Sequence, residues 1–184
     1  DLERAKKTEE RLRKIFGSIT TMNHYTFQKF KVTTLNSKAV EKMRNFDCKK
    51  DNIYLYGKCG TGKTHLAYAS AKAHALKGLE TIITTPMRLV DSFRTKSETE
   101  KEDRFQDFSE CDFLLIDDLG ISKHTDFAIE ILNEILNRRM LQLKNGLVVT
   151  SNLSLEHLAQ KNTDDRVPSR LAGLCKVMEI EGED

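Results

Sequence analysis

Apolar positions recur along this chain in two rhythms. In the charged opening, Leu2, Ala5, Leu12 and Phe16 are sparse but helically spaced, predicting a helix from Leu2 to Phe16 that Gly17 closes. Tyr25-Thr26-Phe27-Gln28-Lys29-Phe30 is aromatic and loop-like, and a second helix runs from about Asn36 to Phe46. From Asn52 the rhythm becomes regular. Asn52 to Tyr56 is a short apolar strand, and His65 to Lys77 is an Ala-rich helix. Thr81 to Thr85 is β-branched, as strands prefer, and Pro86 suits the first turn of a helix reaching Arg94. A polar stretch, Thr95 to Asp103, separates that helix from another short helical piece. Phe113-Leu114-Leu115-Ile116-Asp117-Asp118 reads as a third strand buried on both faces. Phe127, Ile131, Leu132, Ile135, Leu136 and Met140 predict a long helix over Thr125 to Lys144, ended by Gly146. Leu147 to Ser151 and Val177 to Ile180 complete five strands. Strands alternating with helices imply an α/β fold, a parallel sheet covered on both faces.

Composition narrows the class. A chain of 184 residues suits one compact domain. No apolar run approaches the roughly 18 residues needed to cross a bilayer, so a membrane partner is not expected. Cys48, Cys59, Cys111 and Cys175 form no Cys-x-x-Cys pair, which argues against a zinc site and fits the reduced thiols of a cytoplasmic protein. The chain opens on Asp1, as a piece of a longer protein would. The net charge of +2 hides an asymmetry, because the first fifty residues hold 13 Lys or Arg against 6 Asp or Glu. A basic arm of this kind is compatible with nucleic acid, with an acidic partner or with a solvated helix face.

Gly57-Lys58-Cys59-Gly60-Thr61-Gly62-Lys63-Thr64 satisfies G-x-x-x-x-G-K-[ST], with a strand before it and a helix after it. Glycines let backbone N–H groups turn inward around phosphate oxygens, and the helix N-terminus adds its partial positive charge. Lys63 is expected to reach the β- and γ-phosphates and Thr64 to ligate Mg²⁺. A metal ion nearby also removes the electrostatic objection to adjacent carboxylates at the end of the third strand. Asp117 is assigned to the magnesium through its waters, and Asp118 to the water that attacks the γ-phosphate. Asn152, directly after the fourth strand, is placed to position that water with Asp118. Arg166 and Arg170 lie four residues apart around Pro168, in a short or bent helix. An arginine fixed at a subunit edge can serve a neighbour's phosphoryl transfer, whereas a surface ion pair explains the same residues more simply. A GTPase would need Asn-Lys-x-Asp and an ABC ATPase Leu-Ser-Gly-Gly-Gln, and neither is present. A small-molecule kinase stays open on the phosphate loop alone.

The segments "GKCGTGKTH", "LLIDDLG", "VVTSN" and "DRVPSRL", in this order, resemble the AAA+ ATPases of the DnaC/DnaI helicase-loader and IstB group. "YTFQKF" resembles the segment that precedes the nucleotide fold in that group. The resemblance implies a P-loop NTPase of three αβα layers around a five-stranded parallel sheet. Residues 1–20 would form a linker helix and 21–184 the ATP-binding domain, and too few residues follow Leu171 for a helical lid. It implies ATP or ADP with Mg²⁺, Asn152 as sensor 1, Arg170 as the arginine finger and Arg166 as a second basic residue of that box. Phe27 would lie near the adenine, and His65 closes the nucleotide-binding motif. The implied partners are a replicative DNA helicase, single-stranded DNA and a second copy engaged through Arg170. The expected function is an ATP-dependent helicase loader; the alternatives are an IstB-like transposition helper and an ATP-binding adaptor without turnover. Candidate DNA contacts are Arg88, Phe93, Arg94, Lys96, Arg104 and Phe105, where charge and aromatics mix.

Overall fold

The computed structural model describes residues 2–120, 126–142, 145–161 and 164–182, the side chains of 2–7, 19 and 22 excepted. In chain order the elements are α1 (Leu2–Phe16), α2 (Ile19–His24), α3 (Ser37–Arg44), β1 (Asn52–Tyr56), α4 (Lys63–Leu76), β2 (Thr81–Thr84) and α5 (Pro86–Phe93). They continue with α6 (Glu98–Glu110), β3 (Phe113–Leu119), α7 (Asp126–Leu141), β4 (Gly146–Ser151), α8 (Leu155–Lys161), α9 (Arg166–Leu174) and β5 (Lys176–Glu179). The five strands form one parallel sheet in the order β2-β3-β4-β1-β5.

Alternation along the strands builds two cores. Tyr54, Leu114, Ile116, Leu147 and Val149 point to one face, where they meet Leu89 and Phe93 of α5, Phe108 of α6, Ile135 of α7 and Leu171 of α9. Ile53, Leu55, Phe113, Leu115 and Val148 point to the other, where Leu66, Ala67 and Ala71 of α4 cover them with Val40 and Met43 of α3. Each large side chain buried here contributes about 1.5–3 kcal/mol of hydrophobic stabilisation. The helix α1 is docked on this second face through Leu12 and Phe16. Its Arg11 donates to the carbonyls of Ala75 and Gly78, capping the negative end of α4. No helix among the described residues is long and apolar enough to cross a membrane.

The structure differs from the sequence reading in several places, among them β5, which covers Lys176–Glu179 rather than Val177–Ile180. The stretch read as a polar separator is mostly helix, because Ser97 and Glu100 form a capping box that starts α6 at Glu98. Its charges pair along that helix, as in Lys101–Glu98 and Arg104–Asp107, so its polarity marks a solvated face. Phe93 and Phe105 do not form a stacking surface, since their rings lie 4.5 Å apart with Phe93 fully buried in the core. Gly146 does not end α7 but opens β4, where a Cβ would stand 2.7 Å from the Phe46 ring and 2.9 Å from Cys48 Cα. The helices α2 and α8 were not foreseen. The ends Thr125 and Lys144 expected for α7 fall outside the described residues, within which the helix covers Asp126–Leu141. Pro168 stands in the first turn of α9, where a missing N–H costs no helical hydrogen bond.

Candidate functional site

The phosphate loop lies where β1 turns into α4, at the carboxyl ends of the strands. Two glycines there are sterically required. A Cβ on Gly57 would stand 2.2 Å from the Ile180 carbonyl oxygen as the chain beyond β5 passes over the loop. Gly62 has a φ of +90°, and a Cβ on it would press 2.4 Å from the Phe30 ring. Gly62 is also the N-cap of α4 and supplies no side-chain cap, so the first N–H groups of the helix stay open to an anion. Lys63 is folded into the loop, its Nζ donating to the carbonyls of Gly57 at 2.8 Å and Lys58 at 2.6 Å. Burial pulls its ammonium below the usual lysine range, opposed by Cys59, Asp118 and Asp117.

Facing the loop, the end of β3 carries the two carboxylates. Asp117 continues the Phe113–Leu115 face toward α4, is buried, and accepts through Oδ1 from the hydroxyls of Thr64 at 3.0 Å and Thr150 at 2.6 Å. Between Ile116 and Leu119, β3 advances three residues while β4 advances two, which is a β-bulge. Asp118 occupies that bulge with a φ of +65°, and its N–H donates to Thr150 Oγ1 at 2.9 Å. The side chain is exposed at the mouth of the site. Partial burial and then the Asp117 charge raise the Asp118 carboxyl above its ordinary value, and Lys63 counteracts them. Cys59, Gly60 and Gly62–Thr64 of the loop, the two aspartates, Thr150 and Asn152 border a cavity of about 340 Å³. On the other side of the loop, a cavity of about 500 Å³ lies between Leu35, Lys58–Thr61 and Glu179–Gly182.

Gly60, Gly62, Lys63, Thr64, Asp117, Asp118 and Asn152 are therefore brought together in one cavity, and Lys58 and Thr61 border the second. Cys59 borders both. Other candidates lie elsewhere. Phe27 packs into the α4-side core, with the Arg44 guanidinium 5.7 Å from its ring centre. The apolar residues that reach the loop are instead Leu35, Phe30 and Ile180. His65 turns away from the cavity: its Nε2 meets the Thr26 carbonyl at 2.8 Å, and its ring packs edge-on to Tyr25 and Phe30. It anchors the aromatic segment to α4. Arg166 is exposed and pairs with Asp164. Arg170 lies on α9 with its Nε on Asn137 Oδ1 and its Nη1 3.3 Å from the Arg166 carbonyl. Neither arginine borders the cavity of its own chain.

Residues 2–184 match the family of IstB-like ATP binding proteins. The chain belongs to this family. Among curated relatives, the replicative helicase loader DnaC of Escherichia coli (strain K12) is 33% identical over 122 residues, 64% of this chain and 49% of DnaC. This chain thus spans about half the length of that relative. The replication initiator DnaA, solved with AMPPCP and single-stranded DNA, superposes with a TM-score of 0.73 at 25% identity, covering 86% of this chain and 50% of DnaA. A crystal structure of DnaI shares the fold, with a TM-score of 0.71 at 22% identity over 88% of this chain and 90% of that one. The family member described here is thus an AAA+ protein of the DnaC/IstB type with the expected three-layer fold.

Thr150 and Leu35 border the two cavities although no motif marks them. Thr150 stands two residues before Asn152, so period-two alternation places both on one face of the β4 end; that was its only signal. Leu35 had none, since a lone leucine in a loop carries no pattern. The donors suit the cation expected with ATP: Thr64 Oγ1 and the Asp117 carboxylate are hard oxygens, and magnesium takes few protein ligands beside phosphate and water.

Proposed function

We propose that this family member binds Mg²⁺-ATP at the phosphate loop, hydrolyses it, and acts as a loader of a replicative DNA helicase. The observation that carries the reading is the convergence of Lys63, Thr64, Asp117 and Asp118 on one cavity at the end of the sheet. Lys63 would exchange the Gly57 and Lys58 carbonyls for phosphate oxygens. Thr64 and Asp117 would hold the magnesium, which supplies positive charge against the phosphates. Asp118 orients the attacking water, with Asn152, and takes its proton while the bond from the γ-phosphorus to the ADP oxygen breaks. The second cavity, beside Leu35 and Ile180, suits the adenine. Arg170 acts from a neighbouring copy, which is supported by its place on an outer helix away from its own cavity.

The loader assignment is supported by the likeness to DnaC, and contact with single-stranded DNA by the likeness to DnaA. On this chain Arg88 of α5 is an exposed cation available for such a strand, and exposed Arg94, just after α5, would exchange its Asp91 partner for it. Because the IstB-like family matches residues 2–184, a transposition helper using the same ATP site is the second reading. Phosphate release measured with and without single-stranded DNA tests the activity. Turnover that Asp118→Asn stops while leaving Mg²⁺-ATP bound is expected. ATP binding with no turnover under either condition would leave an adaptor instead. Co-precipitation with replicative helicases or with transposases, with and without ATP, separates loader from helper.

A further inference from the structure

The hydroxyl of Thr150 ties together the two carboxylate residues that the hydrolytic reading assigns to different tasks. Thr150 is 1% exposed, on a central strand, and its single proton goes to Asp117 Oδ1. Its lone pair accepts the N–H of Asp118, the residue held in the left-handed region at the bulge. A non-glycine residue stays in that region only where its surroundings hold it there. Thr64 donates to the same oxygen of Asp117. Once Thr64 turns to the magnesium, Thr150 is the hydroxyl left on that carboxylate. Its other bond aims Asp118, because the backbone of Asp118 sets where its carboxylate points.

We propose that Thr150 is a positioning residue for ATP hydrolysis, holding the Asp117 carboxylate with its hydroxyl proton and the Asp118 backbone with its lone pair. The inference rests on the hydrolytic reading above. Valine has the shape of threonine without the hydroxyl, and serine keeps the hydroxyl, so the pair separates hydrogen bonding from packing. T150V is expected to lose on the order of 100-fold in kcat, the scale of a misplaced catalytic group. At saturating Mg²⁺ its KM for ATP should stay within about twofold, because uniform binding is untouched, and its half-saturating Mg²⁺ should rise several-fold, because the Asp117 carboxylate loses the hydroxyl that holds it. T150S should return kcat to within about threefold of the parent. A crystal structure of T150V should show Asp118 released from the left-handed region.

Wild-type kcat and Mg²⁺ dependence in T150V would overturn the proposal. So would T150S as impaired as T150V, or Asp118 still left-handed in the T150V crystal. A parallel loss of ATP affinity, kcat and thermal stability would assign Thr150 to packing alone. Should T150V not fold, T150A carries the same measurements. A wild-type protein without turnover would instead sink the hydrolytic reading, and the Mg²⁺ titration with the crystal structure would still decide the role of Thr150.

Discussion

The loop mouth and the basic edge of α9 carry the same kinds of side chain in opposite arrangements. At the mouth, Lys63, Thr64, Asp117 and Thr150 are held by one another or by nearby backbone, on strand ends and a helix start that the core fixes. On α9, exposed Arg166 pairs with half-buried Asp164 and Arg170 rests on Asn137, both away from the cavity. A surface ion pair contributes about 0–1 kcal/mol, so Arg166 is lightly held, and Arg170 is held by an amide and a backbone carbonyl without a charged partner. One region closes on itself, while the other lies away from the cavity of its own chain. On the proposed reading, the difference teaches that the chain would supply a binding half and an activating half of a shared site, set apart from each other.

The sharpest way to break this comparison is Arg170→Ala. Turnover is expected to fall by about 10³-fold or more, the scale of an arginine finger, with ATP affinity nearly unchanged. Mixing that variant with Lys63→Ala should restore part of the phosphate release, since one subunit then offers an intact loop and its neighbour an intact arginine. If the mixture stays inactive, the arginine does not act across subunits. Lys63→Ala alone should weaken ATP binding by about 100-fold in a calorimetric titration, through loss of a charge-assisted contact to phosphate. Gly62→Ala would force a Cβ into the Phe30 ring at a positive φ, costing about 2 kcal/mol, seen as a Tm lower by about 4–8 °C.

Acid should reach the mouth before the edge. The raised Asp118 carboxyl keeps its proton up to a higher pH than an ordinary aspartate, and a protonated Asp118 cannot accept one from water. Turnover should therefore fall about tenfold per pH unit below that raised value, with ATP binding falling less steeply. The smallest effect is on stability. Asp118→Asn removes repulsion from Asp117 and tolerates the left-handed backbone well, so without nucleotide its Tm should rise by about 1–2 °C. A drop in Tm would mean that the Asp118 charge is satisfied by Lys63 rather than strained by its neighbour.

Much of this site was legible because its chemistry is local in the chain. The loop needs eight consecutive residues between a strand and a helix, and the acidic pair needs only an apolar run before it. What could not be read depends on approach in space. Ser97 and Glu100 did announce a helix start, but the charges that followed concealed it. Phe27 and His65 belonged to motifs of the right kind and still turned to other partners, because aromatic rings go where α4 leaves room to bury them.

By itself, the sequence determined the alternation of strands and helices, the phosphate loop and the carboxylates that face it, because periodicity and contiguous motifs act over a few residues. The tertiary structure alone decided the strand order, the bulge that turns Asp118 left-handed, the Thr150 hydroxyl between the two aspartates, and the seat of Arg170 on Asn137 away from the cavity. Those depend on which strand lies beside which, and pairing between residues tens of positions apart leaves no periodic trace in one chain.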